Sequence, residues 1–231
     1  MKISLCIMVW NEKEGCEIDT PLLPYDHFYE VYAVDGGSTD GTIELLTSQG
    51  VQVYKQPVKS LNAAYHYAVE LCKGDAVVVF FPKGTIDPMC VLDIANKING
   101  KTDFVVASRN MSGGKNEEDD QFFKLRKWGV ILLAEFTSLI WRREGGKITD
   151  ILHGVKGFTL NSFEKMNISK VGVTVDLEMA VRSYRFNIKR DEIPVVENCR
   201  IAGETHFKII PTAKELGKFL LSELRANLFG R

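Results

Sequence analysis

No run of 18 or more uncharged apolar residues occurs in this 231-residue sequence, so it offers no candidate for a membrane-spanning helix. The N-terminal stretch Met1 to Trp10 lacks the long apolar core of a signal peptide. The five cysteines (Cys6, Cys16, Cys72, Cys90, Cys199) are an odd set without C-x-x-C spacing or a neighbouring histidine cluster. That argues against a disulfide framework and a zinc site, and points to a reducing, cytoplasmic location. Lys plus Arg number 29 against 30 Asp plus Glu, so there is no general polyanion signal and no nucleic-acid partner is expected, although local basic patches can still form. Of the four histidines, scattered at 27, 66, 153 and 206, His27 and His66 read as structural. The phosphate loop G-x-x-x-x-G-K-[ST], the serine elbow G-x-S-x-G and the zinc helix H-E-x-x-H are all missing, so those hydrolytic classes lose their best signals. There is no repeat, low-complexity segment or convincing linker. One domain over 1–231 is expected.

What the chain does carry is centred on Ala76 to Pro88, AVVVFFPKGTIDP, an uninterrupted apolar strand running into a Pro-Lys-Gly turn and a helix start at Asp87-Pro88. Such a strand is buried on both faces, and loops at the carboxyl ends of buried parallel strands line the ligand crevice of an open α/β sheet. Phe81 to Thr85 should therefore lie on the floor of the site. Around it, Ile3 to Trp10, Glu30 to Val34, Val51 to Tyr54, Phe104 to Ser108, Ile148 to Asp150 and Ile188 to Val195 read as strands. Thr42 to Ser48, Leu61 to Cys72, Ile86 to Ile98, Phe122 to Trp141 and Val175 to Ser183 read as helices, and the prolines at 21 and 24 allow only a short helix within 13 to 29. Alternation of the two predicts an α/β fold with a mostly parallel sheet and helices on both faces.

Residues 109 to 121 form a polar, Gly-containing loop with an acidic run, read as solvated. The helix over 122 to 141 is too charged to span a membrane but could lie at its surface; Arg126-Lys127-Trp128 could meet phospholipid headgroups or simply be a solvated helix start. The tail from Pro211 to Arg231 places Leu216, Phe219, Leu220, Leu224 and Leu228 on one helical face, suited to packing on the body, on another subunit or reversibly on a membrane.

The most informative motif runs from Val34 to Thr42, VDGGSTDGT. It sets a carboxylate at a strand end and follows it with glycines that allow close backbone approach to a base or ribose; equally, Asp35 and Asp40 could merely cap an ordinary turn. Together with Val9-Trp10-Asn11-Glu12, this motif resembles the family 2 glycosyltransferases. Three further blocks are similar to the dolichyl- or polyprenyl-phosphate mannosyltransferase branch: Ile148 to Phe158, Asp176-Leu177-Glu178 through Ile193-Pro194-Val195, and Arg200 to Phe207. The likeness covers nearly the whole chain. A sugar nucleotidyltransferase would share the layout but should carry a Gly-rich loop after the first strand, where this chain has Asn-Glu-Lys-Glu.

The resemblance implies a nucleotide-diphospho-sugar transferase (GT-A type) fold, with 1–108 as the nucleotide-binding half, 109–210 as the acceptor and sugar half, and 211–231 as an amphipathic C-terminal helix. It implies a nucleotide-diphosphate sugar donor whose hexose passes, with inversion, to a polyprenyl-phosphate or glycan acceptor. Asn11, Glu12, Asp35, Gly37, Ser38 and Asp40 would border the donor. Asp150 and Lys156 would face its sugar and phosphates, and Arg200 with His206 would neutralise the diphosphate or the acceptor phosphate. A peripheral contact with the cytosolic membrane face, direct or through a membrane partner, would follow.

The departures from the family are as informative. Its usual Asp-x-Asp holds the divalent ion that bridges the donor phosphates, and here those positions read Phe81-Pro82-Lys83. Phe cannot ligate a hard cation and Lys repels one; Asp87 is a helix cap rather than a lone ligand. No cofactor is expected, with Mg2+ or Mn2+ kept as the alternative. Lys156 replaces the family's Arg, and His206 its Lys. Two accounts stay open: a metal-independent enzyme in which Lys83 supplies the missing charge and acts with Asp150 and Lys156, or a nucleotide-sugar binder or partner subunit without catalysis.

Overall fold

The computed structural model describes residues 1–100, 102–199 and 209–228. Strands β1 (Ile3–Val9), β2 (Glu30–Asp35), β3 (Gln52–Lys55), β4 (Ala76–Phe80), β5 (Phe104–Ser108), β6 (Lys156–Thr159) and β7 (Arg190–Pro194) form one sheet in the order β3-β2-β1-β4-β6-β5-β7. All neighbours are parallel except at β6, which runs antiparallel to both β4 and β5. Every residue of β1, β4 and β5 is buried, as expected of strands this rich in apolar residues and covered on both faces; the two serines, Ser4 and Ser108, hydrogen-bond to Glu30 and Thr149.

The two faces carry separate cores. On one, Leu5, Ile7, Val78 and Phe80 meet Cys16 of helix α1 (Lys13–Asp19), Leu46 of α2 (Thr42–Ser48) and Val91, Ile94 and Ile98 of α4 (Cys90–Ile98). On the other, Val77, Val79, Phe104 and Phe158 meet residues from α3 (Leu61–Leu71), α5 (Leu125–Trp141), α6 (Leu160–Met166), α7 (Val175–Arg185) and α8 (Ile209–Leu228). Helix α4 lies so close to β6 that a Cβ at Gly157 would fall 2.5 Å from side-chain carbons of Ile94 and Ile98.

Several expectations change. Ile148 to Asp150 is not a strand: Tyr184 Oη accepts from the Ile148 amide, and the Glu192 carboxylate accepts from those of Thr149 and Asp150, so these amides enter no ladder. The strand of that region is instead the four-residue β6, too short for a period-2 pattern, and Thr159 then caps α6 by accepting from the Ser162 amide. The helix expected from Ile86 begins at Cys90, after a turn in which Asp87 accepts from the Met89 amide.

Helix α8 packs on the body, with Phe219 buried and Glu223 paired to Arg182, at 3.0 Å, and to Arg185 of α7. Helix α5 is different. Its inner side packs through Ala134 and Trp141, while Leu125, Trp128, Leu132, Phe136 and Leu139 fall on one outer stripe, Leu132 at 72% and Leu139 at 86% exposure. Lys124, Arg126 and Lys127 at its start are not a bare basic patch, because Asp119, Glu117 and Glu118 of the preceding loop pair with them. Among the described residues, no helix is long and apolar enough to cross a membrane.

Candidate functional site

Because β1, β2 and β4 run parallel, their carboxyl ends share one edge of the sheet, and β6, being antiparallel, brings its first residue, Lys156, to the same edge opposite Val79. The expected donor-binding residues meet there as two interlocked loops. Asn11, in the left-handed region at φ 52°, donates its amide to Ser38 Oγ (2.8 Å) and accepts from the Thr39 amide at Oδ1 (2.8 Å). Asp35 is fully buried and accepts from the amides of Gly37 (2.7 Å) and Ser38 (3.0 Å). Asp40 accepts from the amides of Lys13 and Thr42 (both 3.0 Å) and from the Thr42 hydroxyl. Burial pulls the Asp40 pKa upward, but those hydrogen bonds outweigh it and leave the carboxyl below its ordinary value. The Glu12 amide donates to Thr42 Oγ1 at 3.1 Å. Asp35 and Asp40 thus cap their own turn, the plainer of the two readings of this motif, and in doing so they shape a backbone cradle. Lysines that sequence reasoning passed over rim it, with Lys13 beside Gly41, Lys55 beside Gly37, and the Lys59 ammonium 4.0 Å above the Trp10 ring.

The Phe81–Thr85 turn leaves β4 at this edge and is gripped from below by α1. The Pro82 carbonyl lies against Gly15, where a Cβ would come within 2.2 Å of it. Asp19, buried at the end of the same helix, accepts from the Gly84 amide at 2.8 Å. Burial raises the Asp19 pKa, with hydrogen bonds from Gly84 and Lys83 opposing it. The Phe81 ring fills the space beside Gly154, and Lys83 Nζ stands 5.5 Å from the centre of that ring.

The third part of the site comes from the later chain. Asp150 is completely buried and forms a fork with Arg109, whose Nε and Nη2 donate at 2.6 and 2.9 Å; Arg109 Nη1 also donates to Glu197 at 2.8 Å. Burial alone would raise the Asp150 pKa, but Arg109 overrides it and holds the carboxyl low. Lys156 is buried at 1% exposure, paired with Asp176 near the start of α7, and its ammonium lies 5.8 Å from the Tyr65 ring centre. Burial pushes the Asp176 pKa up against the pull of Lys156 and Lys83.

Lys83, Asp150 and Lys156, expected to act together, are thus within electrostatic reach of one group, Asp176. They arrive differently engaged from the expectation: Asp150 holds Arg109, and Lys156 holds Asp176. Sequence reasoning missed Arg109, Asp19 and His153 as members of the site. Asp176 stood inside a recognised block without a role. Arg200 and His206 lie outside the described residues.

A divalent ion does not fit the residues at the fourth-strand turn. Phe81 offers a ring, Lys83 a positive charge, Asp19 is turned below to the turn's own amides, and Asp87 caps Met89. Among the described residues, no group of three or more His, Cys, Asp or Glu side chains is placed to hold a metal.

Comparison with known proteins gives the geometry its lineage. The chain is 27% identical over 199 residues to glycosyltransferase AglJ of Haloferax volcanii, covering 83% of this chain and 62% of that protein. It is 26% identical over 221 residues to a dolichol-phosphate mannosyltransferase of Pyrococcus furiosus, covering 90% of this chain and 60% of the relative. The chain thus spans about three fifths of the length of these relatives. Among solved structures, glucosyl-3-phosphoglycerate synthase of Mycobacterium tuberculosis, in complex with Mn2+ and uridine-diphosphate-glucose, superposes with a TM-score of 0.71 at 16% identity, over 96% of this chain and 78% of that one. The shared fold is the mixed α/β, GT-A type expected from the sequence. The model of glycosyl transferase family 2 matches residues 21–166, more than half of the sequence, and the chain belongs to that family.

Proposed function

We propose that this chain is an inverting hexosyltransferase that takes its sugar from a nucleotide-diphosphate donor, passes it to a polyprenyl-phosphate or related acceptor, and uses Lys83 where relatives of this fold use a divalent ion. The observation that carries the reading is the Phe81-Pro82-Lys83 turn, gripped by Gly15 and Asp19 and opening beside the loop cradle. Family membership and a relative named for dolichol-phosphate mannosyl transfer support the donor and acceptor classes. The single-domain division into nucleotide, acceptor and tail segments belongs to the same proposal.

In this scheme the cradle of Asn11, Glu12, Asp35, Gly37, Ser38 and Asp40 receives the nucleoside, leaving the diphosphate to run toward Lys83. An ammonium about 4 Å from a phosphate oxygen contributes about 4 kcal/mol at an effective dielectric near 20, less than a dication but in the same direction. Acting on charge that grows on the leaving diphosphate, it favours the transition state over the bound substrate. An acceptor phosphate is already anionic, so the reaction needs no strong base, only alignment for attack on the anomeric carbon. Asp150 acts by fixing Arg109, and Lys156 by fixing Asp176. Arg200 and His206 are assigned to the diphosphate or acceptor phosphate. The bare stripe of α5 begins just beyond the loop that leaves Arg109, which suits a cytoplasmic protein resting on the cytosolic face of a membrane with its acceptor's apolar tail nearby.

The test is transfer from a panel of uridine- and guanosine-diphosphate hexoses to a polyprenyl phosphate, with chelator and with Mg2+ or Mn2+. Turnover indifferent to chelator, and reduced roughly a hundredfold in Lys83→Ala (~2.7 kcal/mol), is expected. Strict dependence on a divalent ion would overturn the role of Lys83. Donor binding without turnover on any acceptor would favour the non-catalytic reading, to which the engagement of Asp150 by Arg109 and of Lys156 by Asp176 lends itself.

A further inference from the structure

His153 is 6% exposed, and its Nδ1 has no hydrogen-bond partner. A buried nitrogen left unpaired costs about 1–3 kcal/mol, a cost that a group from outside the chain removes on pairing with it. Its position says what that is. The His153 amide donates to the Asp150 carbonyl at 3.3 Å, and the next residue, Gly154, touches the Phe81 ring and accepts from Tyr65 Oη at 2.9 Å. The imidazole therefore sits where the Arg109–Asp150 fork, the Lys83 turn and the Lys156–Asp176 pair converge. Burial together with the charges of Arg109, Lys156 and Lys83 pushes its pKa down to about 3, with Asp150 opposing, so the ring is neutral across the working range of pH. Anionic oxygens of a donor would go to the surrounding cations. The neutral ring suits a neutral polar group, and a hydroxyl, which both donates and accepts, satisfies either tautomer.

We infer that His153 is a specificity-determining residue whose unpaired Nδ1 is completed by a hydroxyl of the donor's hexose. This rests on the nucleotide-sugar reading above. Its consequence is a separation between the two halves of the donor: His153 senses the sugar and is indifferent to the nucleoside diphosphate. It also predicts that function and stability oppose each other here, because a nonpolar residue of similar size removes the unpaired group from the free protein.

The experiment is calorimetric titration of wild type, His153→Leu and His153→Asn with UDP, GDP, UDP-glucose and GDP-mannose, alongside thermal unfolding. The expected result is that His153→Leu keeps or raises Tm, binds the preferred bare diphosphate as wild type does, and loses five- to twentyfold in affinity for the matching sugar nucleotide. His153→Asn, which returns a polar atom at the δ position, should recover part of that loss. Unchanged sugar-nucleotide affinity in His153→Leu, equal weakening for sugar nucleotide and bare diphosphate, or a joint fall in Tm and all affinities would overturn the role of His153 alone. Wild-type protein that binds none of the four ligands would overturn the donor reading, and this inference with it.

Discussion

A methyl group added at Gly15 would lie 2.2 Å from the Pro82 carbonyl oxygen and 2.9 Å from Lys83 Cα, both backbone atoms that cannot swing aside. Alanine is the better helix former by up to about 1 kcal/mol, but displacing a packed turn costs about 1–3 kcal/mol, so the clash prevails. Gly15→Ala should fold with Tm lower by a few degrees while affinity for a nucleotide sugar falls tenfold or more, measured by thermal unfolding and titration. Equal donor affinity in the variant would show that the turn's position does not matter to binding. The turn's composition was legible in sequence as Phe81-Pro82-Lys83, side chains poorly suited to a hard cation. Its support was not. Asp19 meets Gly84 across 65 residues of chain and Arg109 meets Asp150 across 41, and no local pattern encodes such pairings.

At the scale of elements, α5 and the loop before it divide apolar from ionic work. Placing charge on the bare stripe should cost little in the free protein, because Leu132 and Leu139 touch mostly solvent. Leu132→Glu with Leu139→Glu should leave Tm within about a degree and reduce binding to phosphatidylglycerol-containing vesicles at least tenfold, read by co-sedimentation. Vesicle binding unchanged by the pair would remove α5 from the membrane proposal. The loop is tied down by Asp119, whose pKa falls to about 2 because Lys127 and the Asn116 amide hold its charged form. A carboxyl depressed in the fold stabilises it above the unfolded value near 3.9 and loses that contribution as pH drops toward 2. Hydrogen exchange in residues 116–124 should therefore show more opening than pH alone produces over that interval. Asp119→Asn should show the same opening at neutral pH, by about 1 kcal/mol for a pair still partly open to solvent. Helix α5 itself was legible from its periodicity; that its outer face stays uncovered was not, because a period shows an apolar stripe without showing what lies over it.

For the molecule as a whole, the sheet order decides what can meet at its edge. If donor binding is metal-free, chelator should leave Tm unchanged and the preferred nucleotide sugar should raise it by the same amount with or without chelator, in a thermal-shift series. A ligand-induced shift that appears only with Mg2+ or Mn2+ would contradict that. The sequence by itself determined the α/β class and the mostly parallel sheet, because buried parallel strands and amphipathic helices write their periods locally. It also determined the family, through motifs contiguous in the chain, and the Phe-Pro-Lys turn that follows β4. Only the tertiary structure decided that β6 would insert antiparallel between β4 and β5 and deliver Lys156 to the site, that Arg109 would occupy Asp150, and that His153 would be buried with one nitrogen unpaired. The reason is common to all three: strand order, ion pairing and burial depend on which distant segments pack together, and that is settled by the whole core rather than by any stretch of residues.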